Sequence, residues 1–132
     1  MKRHPTLQQL SREHHLALKL ARHARLAAAS GQPAAVQDLS RQATTLFVTE
    51  LEPHFQREEQ DLLKNLSAAG EQALTARTLA EHQALRELVS RLAQPDSDTL
   101  MTFASLLEAH VRFEERELFE TAQALLIRPA GE

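Results

Sequence analysis

An all-α fold, an up-down-up-down antiparallel four-helix bundle, is predicted by three features of this sequence. Its apolar residues are mainly Leu and Ala, with few aromatics and only 3 glycines among 132 residues. That composition suits helices packed on helices and leaves too little glycine for the turns of a sandwich or barrel. Four long amphipathic segments also follow one another, separated by short stretches of turn chemistry. Short loops between long helices make neighbours antiparallel. The length fits one domain, residues 1–132, around a continuous core.

The first helix is expected from about Thr6 to Ala29. Ser30-Gly31-Gln32-Pro33 stops it, with a glycine that permits a left-handed turn followed by a proline. The second is expected from about Ala35 to Leu66, ending near Ser67-Ala68-Ala69-Gly70. Pro53 lies inside it, where proline removes a backbone hydrogen bond at a cost of about 3 kcal/mol in an ordinary helix. The apolar period continues across Pro53, so a kink just before His54 is expected rather than a break. The third helix is expected from about Glu71 to Ala93. Gln94-Pro95-Asp96-Ser97-Asp98 then breaks the chain, with Ser97 or Asp98 as N-cap of a fourth helix reaching about Ile127. Pro129, Ala130 and Gly131 end that helix.

The absence of Cys excludes disulfides, thiolate metal sites and thiol nucleophiles. No run of apolar residues is long enough to span a membrane, and MKRHPTLQQL lacks the apolar segment of a signal peptide. A soluble cytoplasmic chain is therefore expected, with no membrane partner. Residues 1–30 carry six Lys or Arg and one acid, so the net charge of −3 divides into +5 there and −8 in the remainder. This is a basic helix beside acidic ones, and too small a basic surface for nucleic acid.

The second and fourth helices contain the same phrase: His54, Glu58, Glu59 and Leu62 recur in spacing as His110, Glu114, Glu115 and Leu118. The first and third share a shorter one, Glu13-His14 and Glu81-His82. The chain thus reads as two related helical hairpins. At about 100° per residue, Phe47, Leu51, His54, Glu58 and Leu62 form one stripe, as do Phe103, Leu107, His110, Glu114 and Leu118. A carboxylate inside an apolar stripe is costly unless it is paired or bound to a metal. Glu59 and Glu115 point about 140° from their histidines, towards solvent or the periphery of a site.

Phase also separates the two adjacent histidines of the first helix. His14 shares a stripe with Leu7, Leu10 and Ala21, whereas His15 shares one with Arg12, Lys19 and Arg22. His14 is the candidate ligand and His15 the alternative. His82 shares its face with Leu85, Val89 and Leu92. Counted from turn centres near residues 32, 69 and 95, His14, His54, His82 and His110 are mismatched by two to four residues, about 3–6 Å of helix rise. Four imidazoles and two carboxylates in one thin layer suit two borderline metal ions bridged by both carboxylates. Glu13 and Glu81, beside their histidines, are the expected supporting groups. The ferritin-like pattern places glutamate before histidine at i,i+3, the reverse of the order here.

With these residues the chain resembles the hemerythrin family, in particular the bacterial single-domain proteins of the HHE cation-binding type. The resemblance runs from Glu13-His14 to the segment holding Glu114, Glu115, Leu118 and Phe119. It implies one iron held by His14 and His54 and a second by His82 and His110. Glu58 and Glu114 would bridge the two, with an oxo or hydroxo between them. The oxygen-carrying hemerythrins have a further histidine one turn after the first in the third helix, where this chain has Arg86. They also place the last carboxylate five residues after its histidine, which would be Glu115 rather than Glu114. The stress-induced di-iron proteins linked to nitric oxide and iron–sulfur repair are closer in pattern.

A missing histidine opens a coordination position. The resemblance therefore implies a non-haem di-iron protein that binds or reacts with O₂, NO or peroxide. The alternative is an iron-handling or sensing module without turnover, since the chain has no Tyr, Trp or Cys to relay electrons. Arg86 is expected either to line an entrance and attract anions or to sit at the bundle edge with its stem on apolar surface.

Overall fold

The computed structural model describes residues 3–126, and these form four antiparallel helices with no strand among the described residues. Helix α1 is Pro5–Ala29, α2 spans 33–68, α3 is Gln72–Arg91 and α4 spans 97–126. The helices pack as neighbours around a ring, with α1 most extensively on α4. The predicted fold class is the observed one. The expected end of α4 at Ile127 and the stop at Pro129, Ala130 and Gly131 lie outside the described residues.

The helix starts differ from expectation by a residue or two, for reasons of cap chemistry. Pro5 and Pro33 are the first helical residues of α1 and α2, a position where the missing N–H has no intrahelical partner anyway. The cap of α4 is Asp96, not Ser97 or Asp98. Its carboxylate accepts from the backbone N–H of Thr99 (3.2 Å) and Asp98 (3.4 Å) and from the Thr99 hydroxyl (2.7 Å). A carboxylate one residue earlier reaches more of the free N–H groups than either candidate does. At the end of α2, Gly70 has φ +92°, and the N–H groups of Gly70 and Glu71 return to the carbonyls of Ser67 and Leu66. This left-handed closure spares the unpaired carbonyls at the helix end.

Helix α2 runs through Pro53 without a break. One wide turn, Phe47–Leu51, closes with the Glu52 N–H on the Phe47 carbonyl, five residues back. Pro53 then falls in the first turn of the next α-helical stretch, where its lack of an N–H is tolerated. The irregularity expected just before His54 is present as this wide turn, with one extra residue.

The apolar interior divides into two clusters. The larger joins Ala17, Ala21 and Ala24 of α1 to Phe47, Leu51 and Phe55 of α2, Leu85 of α3, and Leu100, Phe103 and Leu107 of α4. The smaller joins Leu7 and Leu10 to Leu62, Leu63 and Leu66 and to Phe113, Leu118 and Phe119. Each fully buried Leu or Phe contributes roughly 1.5–3 kcal/mol, so each cluster can hold one end of the bundle. Between them, at residues 14, 54–58, 82 and 110–114, lies a polar layer. Among the described residues no helix is long and apolar enough to cross a membrane.

Candidate metal centre

The layer brings together all six side chains singled out in the sequence: His14, His54, Glu58, His82, His110 and Glu114. Each is buried, Glu58, His82 and Glu114 completely. His15 is exposed and outside the cluster, and Glu115 is only half-buried at its edge. The rings of His14 and His54 lie 5.1 Å apart and those of His82 and His110 5.0 Å, so the histidines form two pairs. Their Nε2 atoms turn inward. His14 Nε2 is 2.7 Å from Glu114, His82 Nε2 3.0 Å from Glu58, His110 Nε2 3.1 Å from Glu114 and His54 Nε2 3.3 Å from Glu58.

Potential ligand atoms gather into two groups, each within 4.8 Å: His14, His54, Glu58 and Glu114, and Glu58, His82, His110 and Glu114. Both carboxylates belong to both groups. His54 Nε2, Glu58 Oε2, His110 Nε2 and Glu114 Oε2 are fully buried without a hydrogen-bond partner. Unsatisfied buried polar atoms are costly, and several converging on one point are the mark of a cation site. Neutral imidazole and carboxylate donors in this proportion suit borderline divalent ions. The residues present therefore fit a metal.

Around this layer runs a ring of four further carboxylates, each reaching the outer nitrogen of a histidine on the next helix. Glu13 of α1 lies 2.8 Å from His54 Nδ1, and Glu59 of α2 lies 2.7 Å from His82 Nδ1. Glu81 of α3 lies 2.7 Å from His110 Nδ1, and Glu115 of α4 lies 2.6 Å from His14 Nδ1. An ionised carboxylate only accepts, so each Nδ1 carries the proton and donates. That leaves Nε2 as the nitrogen that faces the centre and binds a metal once its proton is released. Each outer carboxylate is in turn paired with an arginine: Glu13 with Arg57, Glu59 with Arg86, Glu81 with Arg77 and Glu115 with Arg3.

In the metal-free chain these contacts govern protonation. Burial pushes His54 down, but the facing carboxylates of Glu114 and Glu58 more than reverse this and lift it to about 11. Burial likewise opposes, and Glu114 with Glu81 prevails, at His110, which rises to about 10. His82 is raised to about 8 by Glu114 and Glu58 against burial, and His14 is raised by Glu114 and Glu115. Burial would raise Glu114, yet the facing histidines, His110 first, hold it well below the usual carboxylate range.

Local backbone geometry marks both inner carboxylates. Glu58 and Glu114 each open a wide turn, Glu58–Leu62 and Glu114–Leu118, in which the N–H of Leu63 or Phe119 bonds the glutamate's own carbonyl five residues back. Such turns insert an extra residue and rotate the next stretch of helix about its axis, and they concentrate at functional sites.

Arg86 neither lines the centre nor presents a free charge. It grips Glu52 through two parallel bonds, Nε–Oε1 2.8 Å and Nη2–Oε2 2.7 Å, and also touches Glu59 at 3.0 Å. Phe55, which helical phase alone does not single out, stacks on the His82 ring at 3.9 Å and an interplanar angle of 10°. Phe55, Arg3 and Arg57 carried no clear sequence signal, whereas Arg86 stood in the place of a further histidine and Arg77 has a readable i,i+4 spacing to Glu81. On the side of the larger apolar cluster, an enclosed cavity of about 10 Å³ lies against Glu13, His14, His54, Phe55 and His110 and is closed by Ala17, Leu51, Leu107 and Val111.

No curated protein and no solved structure matches the chain. A family model does: the hemerythrin HHE cation binding domain matches residues 6–122, and its span contains every residue of the layer. With its histidines and carboxylates converging within a four-helix bundle, the chain belongs to the hemerythrin HHE cation-binding domain family.

Proposed function

We propose that this chain is a non-haem di-iron protein that binds or reacts with O₂, NO or peroxide at an open metal position. His14 and His54 would hold one iron, His82 and His110 the other, with Glu58 and Glu114 shared between them and an oxo or hydroxo bridge completing the pair. The observation that carries this reading is that both buried carboxylates belong to both four-residue groups. When bound, the irons supply electrons and open coordination to a small ligand. Two histidines and two shared carboxylates would leave each ion able to take a further small ligand.

The protein's own part is positioning and exclusion. The outer carboxylates lock the imidazoles with Nε2 inward, and the two apolar clusters keep bulk water from the layer. The cavity of about 10 Å³ beside His14, His54 and His110 is far too small for an organic substrate, which favours a small ligand. A second reading, iron binding without turnover, draws on the absence of Tyr, Trp and Cys. Anaerobic loading with Fe(II), followed by O₂ or NO and read by absorption and Mössbauer spectroscopy, separates the two. Two irons per chain and a ligand-dependent spectrum are expected. Uptake of no iron, or of one, would sink the di-iron reading, and steady turnover with an electron donor would remove the alternative.

A further inference from the structure

We propose that Arg86 is a positioning residue for His82, holding that imidazole both by its edge and by its face. The edge contact runs through Glu59. Its Oε2 accepts from His82 Nδ1–H at 2.7 Å, and the same oxygen lies 3.0 Å from Arg86 Nη2. The face contact runs through Phe55. Its ring stacks on His82 at 3.9 Å, and the Arg86 guanidinium sits 5.7 Å from its centroid.

Two parallel bonds to Glu52 fix the guanidinium plane, so Arg86 acts as a rigid fork rather than a mobile charge. Its exposure sets it with Arg3, at 22%, and apart from the other two arginines of the ring. The Arg86 side chain is 18% exposed, against 47% for Arg57 and 50% for Arg77. Exposed pairs hold their partners weakly, while a part-buried fork that serves two carboxylates does not give way to solvent. Arg86 stands one turn after His82 on α3, where a side chain of ordinary length can lean back over its neighbour's outer edge. It therefore fixes the direction of a ligand without touching the centre.

The proposal rests on the metal reading only for its effect on metal, and the test keeps the two apart. In the metal-free protein, with histidine ¹⁵N-labelled, the His82 Nδ1–H signal should be protected from exchange. Arg86→Gln should speed its exchange by about tenfold or broaden it away, while the His54 signal stays put. Arg86→Lys, which keeps the charge but not the fork, should recover part of the protection. Arg91→Gln, which removes an exposed charge paired with Glu87 on the same helix, should change nothing. In Co(II) titrations Arg86→Gln should weaken one of two equivalents by about tenfold and spare the other. An unchanged His82 signal in Arg86→Gln overturns the proposal, as does full recovery by Lys or an equal effect of Arg91→Gln. Failure of the wild-type protein to take up two Co(II) ions would count against the di-metal reading, while the His82 signal still reports on Arg86.

Discussion

Glu114 reaches across the bundle to His14: its Oε1 lies 2.7 Å from His14 Nε2 on α1, while its Oε2 lies 3.1 Å from Nε2 of His110, one turn back on its own helix. One carboxylate thus touches both histidine pairs. Neither histidine has that reach, because each belongs to only one of the two groups. Substitutions at the two positions should therefore differ in kind. Glu114→Ala is expected to abolish metal uptake at both positions, whereas His14→Ala should leave about one ion per chain. Metal analysis after dialysis against a weak chelator reads the difference. Equal stoichiometry in the two variants would contradict the shared role of Glu114.

The outer carboxylates lead to a graded prediction. Glu81 accepts from His110 Nδ1 at 2.7 Å and is steadied by Arg77. Loss of such a partner frees the ring to rotate and lowers its basicity, typically at about 10–100-fold in metal affinity. Glu81→Ala should show a loss in that range in chelator competition, and Glu81→Gln, which can still accept the bond, a smaller one. Glu87→Ala, an exposed acid on the same helix, should show none.

Acidity should act through the raised histidines. In the metal-free fold His82, His110 and His54 lie at about 8, 10 and 11, above the ordinary value near 6.5. Such groups add stability to the metal-free fold that is fully present below about pH 6.5 and lost as pH climbs through about 8 to 11. A metal requires the neutral imidazoles, so loading must expel protons across the neutral range. Affinity should rise with pH, and the gap in Tm between Zn(II)-loaded and metal-free protein should widen from about pH 6 to pH 8. Proton release can be followed with an indicator in weakly buffered solution. A gap that narrows with rising pH would refute the assignment of protons to these rings.

The part of this site that is periodic along one helix was legible in the sequence, and the part that crosses between helices was not. Phase alone put Glu58 beside His54 and Glu114 beside His110, and it separated His14 from His15, because a helix fixes the direction of each side chain relative to its neighbours. The same arithmetic turned Glu59 and Glu115 away from their own histidines, as the structure has them. It could not show that they face His82 and His14 on adjacent helices, since that depends on how the helices are rotated about one another. The wide turns at Glu58 and Glu114 were hidden for a related reason: an extra residue in a turn is stabilised by packing, not by local preference. Only Pro53 announced its turn, because a missing N–H is visible in the sequence itself.

Helix α1 lies most extensively on α4 and buries Ala17, Ala21, Ala24 and Ala27 along its inner face. Methyl groups at those positions let the two backbones approach, and Ala24 has no exposed surface left. A larger side chain there cannot turn to solvent, so Ala24→Leu must push α1 outward or force a strained rotamer. Overpacking of this kind costs about 1–3 kcal/mol. The result should be a Tm lower by several degrees, measured on the metal-free protein so that ligand binding does not mask it. Ala29→Leu, an exposed position at the end of the same helix, supplies the control, since it changes size without meeting a neighbour's face. Because α1 also carries His14, the displaced helix should hold metal less tightly in proportion to its loss of stability. A variant that melts at the wild-type temperature would show that α1 and α4 are not closely apposed at Ala24.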